Sequence, residues 1–118
     1  PDFRQRRPQE NRTVMILHIA TFVFHDHVTE AQIEAATTAL YDMAAQIPEI
    51  KSYVAGPNLH LRPGGKDFGV TALVDDADGV HAYLDHPLHT AVYNEHLAVM
   101  IAERAAVRVP LADGAFGA

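Results

Sequence analysis

The first half of the chain changes from a strand pattern to a helix pattern. Residues 14–24 are apolar on both alternating faces, with His18 as the polar exception, which predicts a strand covered on both sides. Thr29 and Gln32 have the spacing of a capping box, so a helix is expected to begin there. The apolar positions that follow recur at helical spacing and are Ile33, Ala36, Leu40, Met43, Ala44 and Ile47. Pro48 is expected to end this helix.

The second half of the chain predicts three further strands and two helical segments. In chain order these are a strand at 50–61, a strand at 68–74, a short helix at 80–84, a long helix at 87–103 and a strand at 105–111. A Pro-Gly-Gly turn separates the first two of these strands, and Pro87 suits the first turn of the long helix.

This order of elements, β-α-β-β-α-β, predicts an α+β protein with the ferredoxin-like fold, in which two helices cover one face of an antiparallel sheet. The other sheet face would be bare in a monomer, and we place Phe22 and Phe24 on it. A large exposed apolar face indicates an interface or a ligand groove. We therefore expect a homodimer whose two sheets face each other.

The length of 118 residues allows one domain. We assign it to residues 14–112, between a polar, disordered N-terminal arm at 1–13 and a flexible tail at 113–118. No apolar run approaches the roughly 20 residues that cross a bilayer, so no membrane partner is expected. The absence of cysteine excludes disulfides, thiolate metal sites and cysteine nucleophiles, and it is compatible with a cytoplasmic protein.

The net charge of −6 is unevenly distributed along the chain. The first 12 residues hold four of the nine basic side chains, which leaves five basic and 13 acidic residues in the remainder. Such an acidic domain repels phosphate backbones, so nucleic acid is not an expected partner.

Histidines are the most informative candidates for chemistry, because eight are present and half of them lie between residues 81 and 96. His86, His89, Tyr93 and His96 are spaced so that they share one face of the predicted long helix. An imidazole can act as general base or acid near neutral pH, and a phenol can donate a hydrogen bond to an oxyanion. The alternative is that this face is merely polar and partly exposed.

Metal binding is a second interpretation of the same histidines. His86 and His89 could chelate a metal ion together. The possible further ligands are Glu95, His96 and Glu103. Their spacing is not that of the His-Glu-x-x-His motif, so no metal is expected. Glycine-rich phosphate loops are also absent from the sequence, and we expect no cofactor.

A short block near the last helix resembles a family signature. Residues 82–89 read Ala-Tyr-Leu-Asp-His-Pro-Leu-His. A tyrosine followed by His-Pro-x-His, ahead of the last long helix, is typical of the stress-responsive A/B barrel (Dabb) family, which this chain resembles. Weaker similarity is found at 14–18, 47–50, 56–58 and 68–75. The resemblance covers about residues 14–111, and it implies a dimeric α+β barrel.

The same resemblance implies candidate catalytic residues. Some members of the family are plant polyketide cyclases, which close an aromatic ring by intramolecular aldol condensation. By similarity to them, Tyr83 and His89 are catalytic and His18 lines the same cavity. The cyclase pattern also has a histidine in the third strand, whereas residues 68–71 contain none.

These residues suggest a cofactor-free cyclase or lyase-like enzyme for a small carbonyl-bearing molecule. In this hypothesis His89 removes a proton next to the carbonyl and Tyr83 donates to the developing oxyanion. Either His18 or His86 orients the pair. The expected substrate-binding residues, between the sheet and the long helix, are Phe22, Phe24, Phe68, Val70, His86 and Tyr93.

Two alternatives belong to other functional classes. The protein could be a non-enzymatic stress-response or assembly protein, with histidines that serve structure. It could also be a monooxygenase-like member of the same barrel superfamily, an interpretation that rests on fold analogy. A cavity that reaches His89 and Tyr83 favours an enzyme, whereas a sheet face filled by side chains favours the assembly protein.

Overall fold

The computed structural model describes residues 14–117, which form a four-stranded sheet with helices on one side. The elements are β1 (Ile16–Phe24), α1 (Glu30–Gln46), β2 (Ile50–Pro57), β3 (Phe68–Val74), α2 (Ala77–Leu84), α3 (Pro87–Glu95) and β4 (Ile101–Pro110), with 3-10 turns at Leu97–Val99 and Ala115–Gly117. The arm predicted at 1–13 lies outside the described residues, and the flexibility of the tail stays a prediction. Within 14–117, no helix is long and apolar enough to cross a membrane.

The sheet has the strand order β2-β3-β1-β4, and every neighbouring pair is antiparallel. Ile19 in the middle of β1 pairs with Thr71 of β3 and with Val107 of β4. The prediction of an α+β ferredoxin-like fold is therefore confirmed. The described chain has three α-helices, and α2 corresponds to the short helix predicted at 80–84. It begins three residues earlier than predicted, because the Asp76 side chain caps it by accepting a hydrogen bond from the N–H of Gly79.

Helix α1 begins where the capping box predicts. The Thr29 hydroxyl oxygen accepts a hydrogen bond from the Gln32 backbone N–H at 3.1 Å, and the Gln32 side-chain oxygen accepts one from the Thr29 N–H at 2.8 Å. The residues that this helix buries in the core are Ala36, Leu40, Met43 and Ala44. This packing fixes the helix against the same sheet face that bears His18.

The helix predicted at 87–103 is too long. It ends at Glu95, and β4 already begins at Ile101. The Met100 carbonyl accepts a hydrogen bond from the His25 N–H at 2.9 Å, so this backbone is engaged by the end of β1. Pairing with β1 therefore overrides the helical pattern of the sequence.

The prediction that Phe22 and Phe24 lie on the bare sheet face is wrong. Their side chains are only 7% and 8% exposed, and both rings pack with Phe68 on the helix-covered side. Because both faces of β1 are apolar, alternation alone does not tell which face the helices cover. We name the uncovered side of the sheet the open face. Its apolar residues include Leu17, Ile19, Val23, Val54, Val107 and Val109.

Candidate active site

A cavity of about 430 Å³ lies between the helix-covered side of the sheet and helices α2 and α3. Its polar lining consists of His18, Tyr53, Tyr83, His89, Tyr93, Arg104 and Arg108. Its apolar lining includes Ala20, Phe22, Leu40, Val70, Leu97 and Ile101. This volume and this mixture of an apolar wall with a few converging polar groups are typical of sites for small molecules.

Small side chains in β1 and β4 leave room for the cavity. Ala20 pairs with Ala106 across the two strands, and both residues line the cavity. The larger pairs on either side are Phe22–Arg104 and His18–Arg108. Because the side chains in the middle of this strand pair are small, Ala20 and Ala106 form the floor of the cavity.

His18 is held as a neutral imidazole. Its side chain is 4% exposed, and its Nδ1 accepts a hydrogen bond from Arg108 Nε at 3.1 Å. Burial, then the positive charge of Arg108, and then the nearby His89 imidazole when it is protonated, lower the pKa of His18 from 6.5 to about 4. Since Nδ1 is the acceptor, the single ring proton of the neutral form lies on Nε2.

Tyr83 lies at the centre of an aromatic cluster at the end of α2. Its ring centroid is 5.6 Å from that of His18, 5.2 Å from that of His89 and 6.4 Å from that of Tyr53, and all three contacts are edge-to-face. Burial raises the pKa of Tyr83 above its ordinary value. The phenol therefore stays protonated at neutral pH and can donate a hydrogen bond.

His89, in the first turn of α3, also favours its neutral form. Burial lowers the pKa of His89, and the positive charge of Arg104 lowers it further. The Leu84 carbonyl and the Asp85 carboxylate act in the opposite direction, with a smaller effect than burial. An imidazole that is unprotonated at neutral pH can accept a proton, as a general base must.

Sequence reasoning missed Tyr53, whose hydroxyl is buried in the same cluster. This hydroxyl has no hydrogen-bond partner within the described chain. Burial raises the pKa of Tyr53, and the neighbouring Tyr83 phenol raises it further, although the two hydroxyls do not meet hydrogen-bond geometry. Because an unpaired buried polar group is costly, this hydroxyl is a candidate contact for a bound molecule.

Sequence reasoning also missed two arginines in the cavity wall. Arg104 and Arg108 lie on one face of β4 with Ala106 between them. The Arg104 guanidinium carbon lies 5.7 Å from the centroid of the Tyr93 ring. The Arg-x-x-x-Arg spacing is the signal that could have identified them, but the strand predicted at 105–111 begins too late and leaves Arg104 outside it.

The structure separates the predicted substrate-binding residues into two groups. Phe22, Val70 and Tyr93 line the cavity, as expected. Phe24 and Phe68 do not line it: their rings pack behind the wall, with centroids 5.7 Å apart. These two phenylalanines therefore support the Phe22 ring rather than line the cavity. His86, the sixth predicted residue, is also absent from the lining.

The predicted stripe of four residues on one helix face is also wrong. His86 precedes α3 and caps it, because its Nδ1 accepts a hydrogen bond from the Leu88 N–H at 3.0 Å. His96 ends the same helix, so only His89 and Tyr93 lie within it. In the part of the chain that the structure describes, no three His, Cys, Asp or Glu side chains group so as to hold a metal ion.

Comparison with known proteins relates the chain to relatives of similar size. A dimeric ferredoxin-like protein of unknown function from Thermobifida fusca is 45% identical and has a TM-score of 0.77, over 83% of this chain and 92% of that one. An uncharacterized protein of Streptomyces coelicolor is 34% identical over 79 residues, which are 65% of this chain and 81% of the relative.

A more distant solved structure is that of an enzyme, and a family model matches most of this chain. A hydroxynitrile lyase from Passiflora edulis has a TM-score of 0.73 at 12% identity, over 86% of this chain and 96% of that one, and this likeness shows the fold alone. The family model for the stress responsive A/B barrel domain matches residues 16–109, which span all four strands. As the Tyr83 to His89 block predicts, the chain belongs to the stress-responsive A/B barrel domain family.

Proposed function

We propose that this protein is a homodimeric, cofactor-free enzyme that transfers a proton next to the carbonyl group of a small, partly apolar molecule. The observation that supports this proposal is the pairing of a neutral imidazole with a protonated phenol in one cavity. His89 and Tyr83 supply these groups, with ring centroids 5.2 Å apart. Together they provide the base and the hydrogen-bond donor that enolate formation requires.

The reaction begins with proton transfer from carbon to His89. The unprotonated ring nitrogen takes a proton from the carbon next to the carbonyl, and the C–H electron pair forms the enolate. The Tyr83 hydroxyl donates a hydrogen bond to the enolate oxygen. In an aldol step, the enolate carbon then bonds to a second carbonyl of the same molecule, whose oxygen receives the proton from His89.

His18 acts in this scheme as a positioning residue. Arg108 donates a hydrogen bond to the Nδ1 of His18, so the Nε2–H is the ring's available donor. The imidazole edge packs against Tyr83 at a centroid distance of 5.6 Å. We expect this contact to fix the direction of the phenol within the cavity.

The open face provides the dimer contact in this proposal. Val54 and Val107 there are 61% and 51% exposed, and residues of β1 between them are apolar. Water-exposed apolar surface of this extent favours association. The relative from Thermobifida fusca, which is 45% identical, is dimeric. A second copy of this chain is therefore the partner we expect on this face.

Replacing Val54 with Asp should dissociate this dimer, because it places a charge in an apolar contact. We expect the dimer dissociation constant to rise at least about 100-fold, measured by light scattering over a dilution series. Val99→Asp is the matched control, since Val99 is also 61% exposed but lies in the turn before β4. Dissociation by the Val99 variant, or no effect of the Val54 variant, would contradict this assignment of the interface.

The proposed proton transfer can be tested without knowledge of the natural substrate. Phenylacetone and two longer aryl ketones, incubated with the protein in deuterium oxide, should lose their α-protons faster than in buffer alone. Proton NMR measures this exchange, which should saturate with ketone concentration. Exchange no faster than with free imidazole and tyrosine would overturn the proposal and favour the non-enzymatic stress-response or assembly protein.

The exchange rate should depend on the protonation of His89. Because the pKa of His89 is lowered, the imidazole stays unprotonated below pH 6.5, and the rate should fall only as the pH drops through this lowered pKa. The charged and titratable groups that surround the ring are Arg104, Asp85, His18 and Tyr83. Arg104→Gln removes a positive charge, so the midpoint of its pH–rate profile should move to higher pH. An unchanged or lower midpoint would contradict the role assigned to Arg104.

A further inference from the structure

Two arginines border one side of the cavity. Arg104 and Arg108 share a face of β4, four residues apart, so their Cα atoms are separated by roughly 13 Å. Ala106 lies between them and pairs with Ala20 of β1. The two guanidinium groups therefore flank a short apolar floor rather than lying on opposite sides of the domain.

No carboxylate balances these charges in the cavity wall. The lining contains two arginines, two histidines and three tyrosines, and it contains no aspartate or glutamate. Within residues 14–117, neither guanidinium lies within salt-bridge distance of a carboxylate; the ion pair found there joins Lys51 to Asp75. An excess of positive charge in this cavity contrasts with the net charge of −6 of the whole chain.

Both arginines retain donors for a ligand. Arg108 uses its Nε–H to bind His18, which leaves the four N–H groups of its two terminal nitrogens. Arg104 lies over the Tyr93 ring with its guanidinium carbon 5.7 Å from the centroid, and this cation–π contact uses none of its N–H donors. Guanidinium groups bind carboxylates through paired, charge-assisted hydrogen bonds.

The imidazoles of His18 and His89, which lie beside the arginines, supply no negative charge to balance them. Burial lowers the pKa of both His18 and His89, and Arg108 and Arg104 lower the two pKa values further, so both rings are neutral beside the arginines. A bound anion would offset these positive charges at the side of the cavity where Arg104 and Arg108 are exposed to solvent and can be reached by a ligand.

From these contacts we infer that the cavity selects a small molecule that joins an apolar ring to a carboxylate, with the carboxylate bound by Arg104 and Arg108. The ring then packs on Phe22 and Val70, in the apolar part of the wall. This inference rests on the proposed function only for the reacting group, which would face His89 and Tyr83. Binding of the anion itself is independent of any reaction.

Titration with 2-naphthoate and 2-naphthamide tests the inference, because the two probes have similar size and differ in charge. Isothermal titration calorimetry should show at least 10-fold tighter binding of the naphthoate. Arg104→Gln and Arg108→Gln should each weaken naphthoate binding about 10-fold or more and leave naphthamide binding unchanged. Arg62→Gln, in the exposed loop before β3, is the matched control and should change neither affinity.

Further variants separate this inference from the proposed function. Arg104→Lys keeps the charge and should retain more naphthoate binding than Arg104→Gln. His89→Ala should slow ketone exchange by about 10²–10⁴-fold yet still bind the naphthoate. Equal affinities for the two probes, or unchanged naphthoate binding in both glutamine variants, would overturn the inference even if exchange of neutral ketones is observed. Circular dichroism establishes that each variant is folded before its affinity is compared.

Discussion

Replacing His89 with alanine is expected to slow α-proton exchange in aryl ketones by about 10²–10⁴-fold, the range that a positioned general base contributes. The side chain is lost from the edge of a cavity that already contains space, so the folded state should be little affected. We expect the thermal unfolding midpoint to fall by only a few degrees, roughly the effect of 1 kcal/mol on a domain of this size. Proton NMR in deuterium oxide measures the rate, and calorimetry measures the midpoint.

Two further variants define what this result means. Tyr83→Phe retains the packing of the ring and removes only the hydroxyl, and it should lower the exchange rate by about 10²-fold or more, the cost of losing one oxyanion donor. His96→Ala is the matched control, because His96 ends the same helix and does not line the cavity. If His89→Ala kept the wild-type rate, or lost rate and fold together, His89 would be a structural residue.

Acidification should destabilise the protein through His18. The pKa of this imidazole is lowered from 6.5 to about 4 in the folded state, so the unfolded chain binds the proton more readily. Stability should therefore be full above pH 6.5 and fall progressively as the pH drops towards 4. The loss corresponds to roughly 2–3 kcal/mol, after allowance for solvent that reaches the ring through the cavity.

Denaturant unfolding at a series of pH values between 7 and 4 measures this contribution. His18→Asn replaces the imidazole with an amide whose oxygen can still accept the Arg108 hydrogen bond, and it should remove most of the His18 contribution to the pH dependence. His81→Asn alters an exposed histidine of α2 and should leave the dependence as in the wild type. A wild-type slope in the His18 variant would show that other groups cause the acid sensitivity.

Local sequence signals predicted some elements closely and failed where distant pairing decides the structure. The capping box places the start of α1, and β3 has the predicted bounds, because both depend on neighbouring residues. The end of α3 could not be read in this way. The Met100 carbonyl is engaged by His25, which is far away in the sequence, and no local pattern reports that contact.

The candidate site was predicted only in part for the same reason. Tyr83, His89 and His18 were indicated by a family signature, and the structure brings all three to one cavity. Arg104 and Arg108 carry no such signature, and their role depends on knowing that β4 pairs with β1 from Ile101 onwards. The covered face of β1 was also ambiguous, because an apolar residue occupies nearly every position on both of its sides.

The alanine pair in the cavity floor sets the length of the cavity. Ala20 is nearly buried, whereas Ala106 lies on the outer strand with its side chain exposed towards the hollow. Replacing either alanine with a residue that has a branched side chain would shorten the cavity and leave its histidines, tyrosines and arginines unchanged. For the enzyme proposed above, a single codon change would therefore alter the length of the molecule that fits, while the proposed chemistry stayed the same.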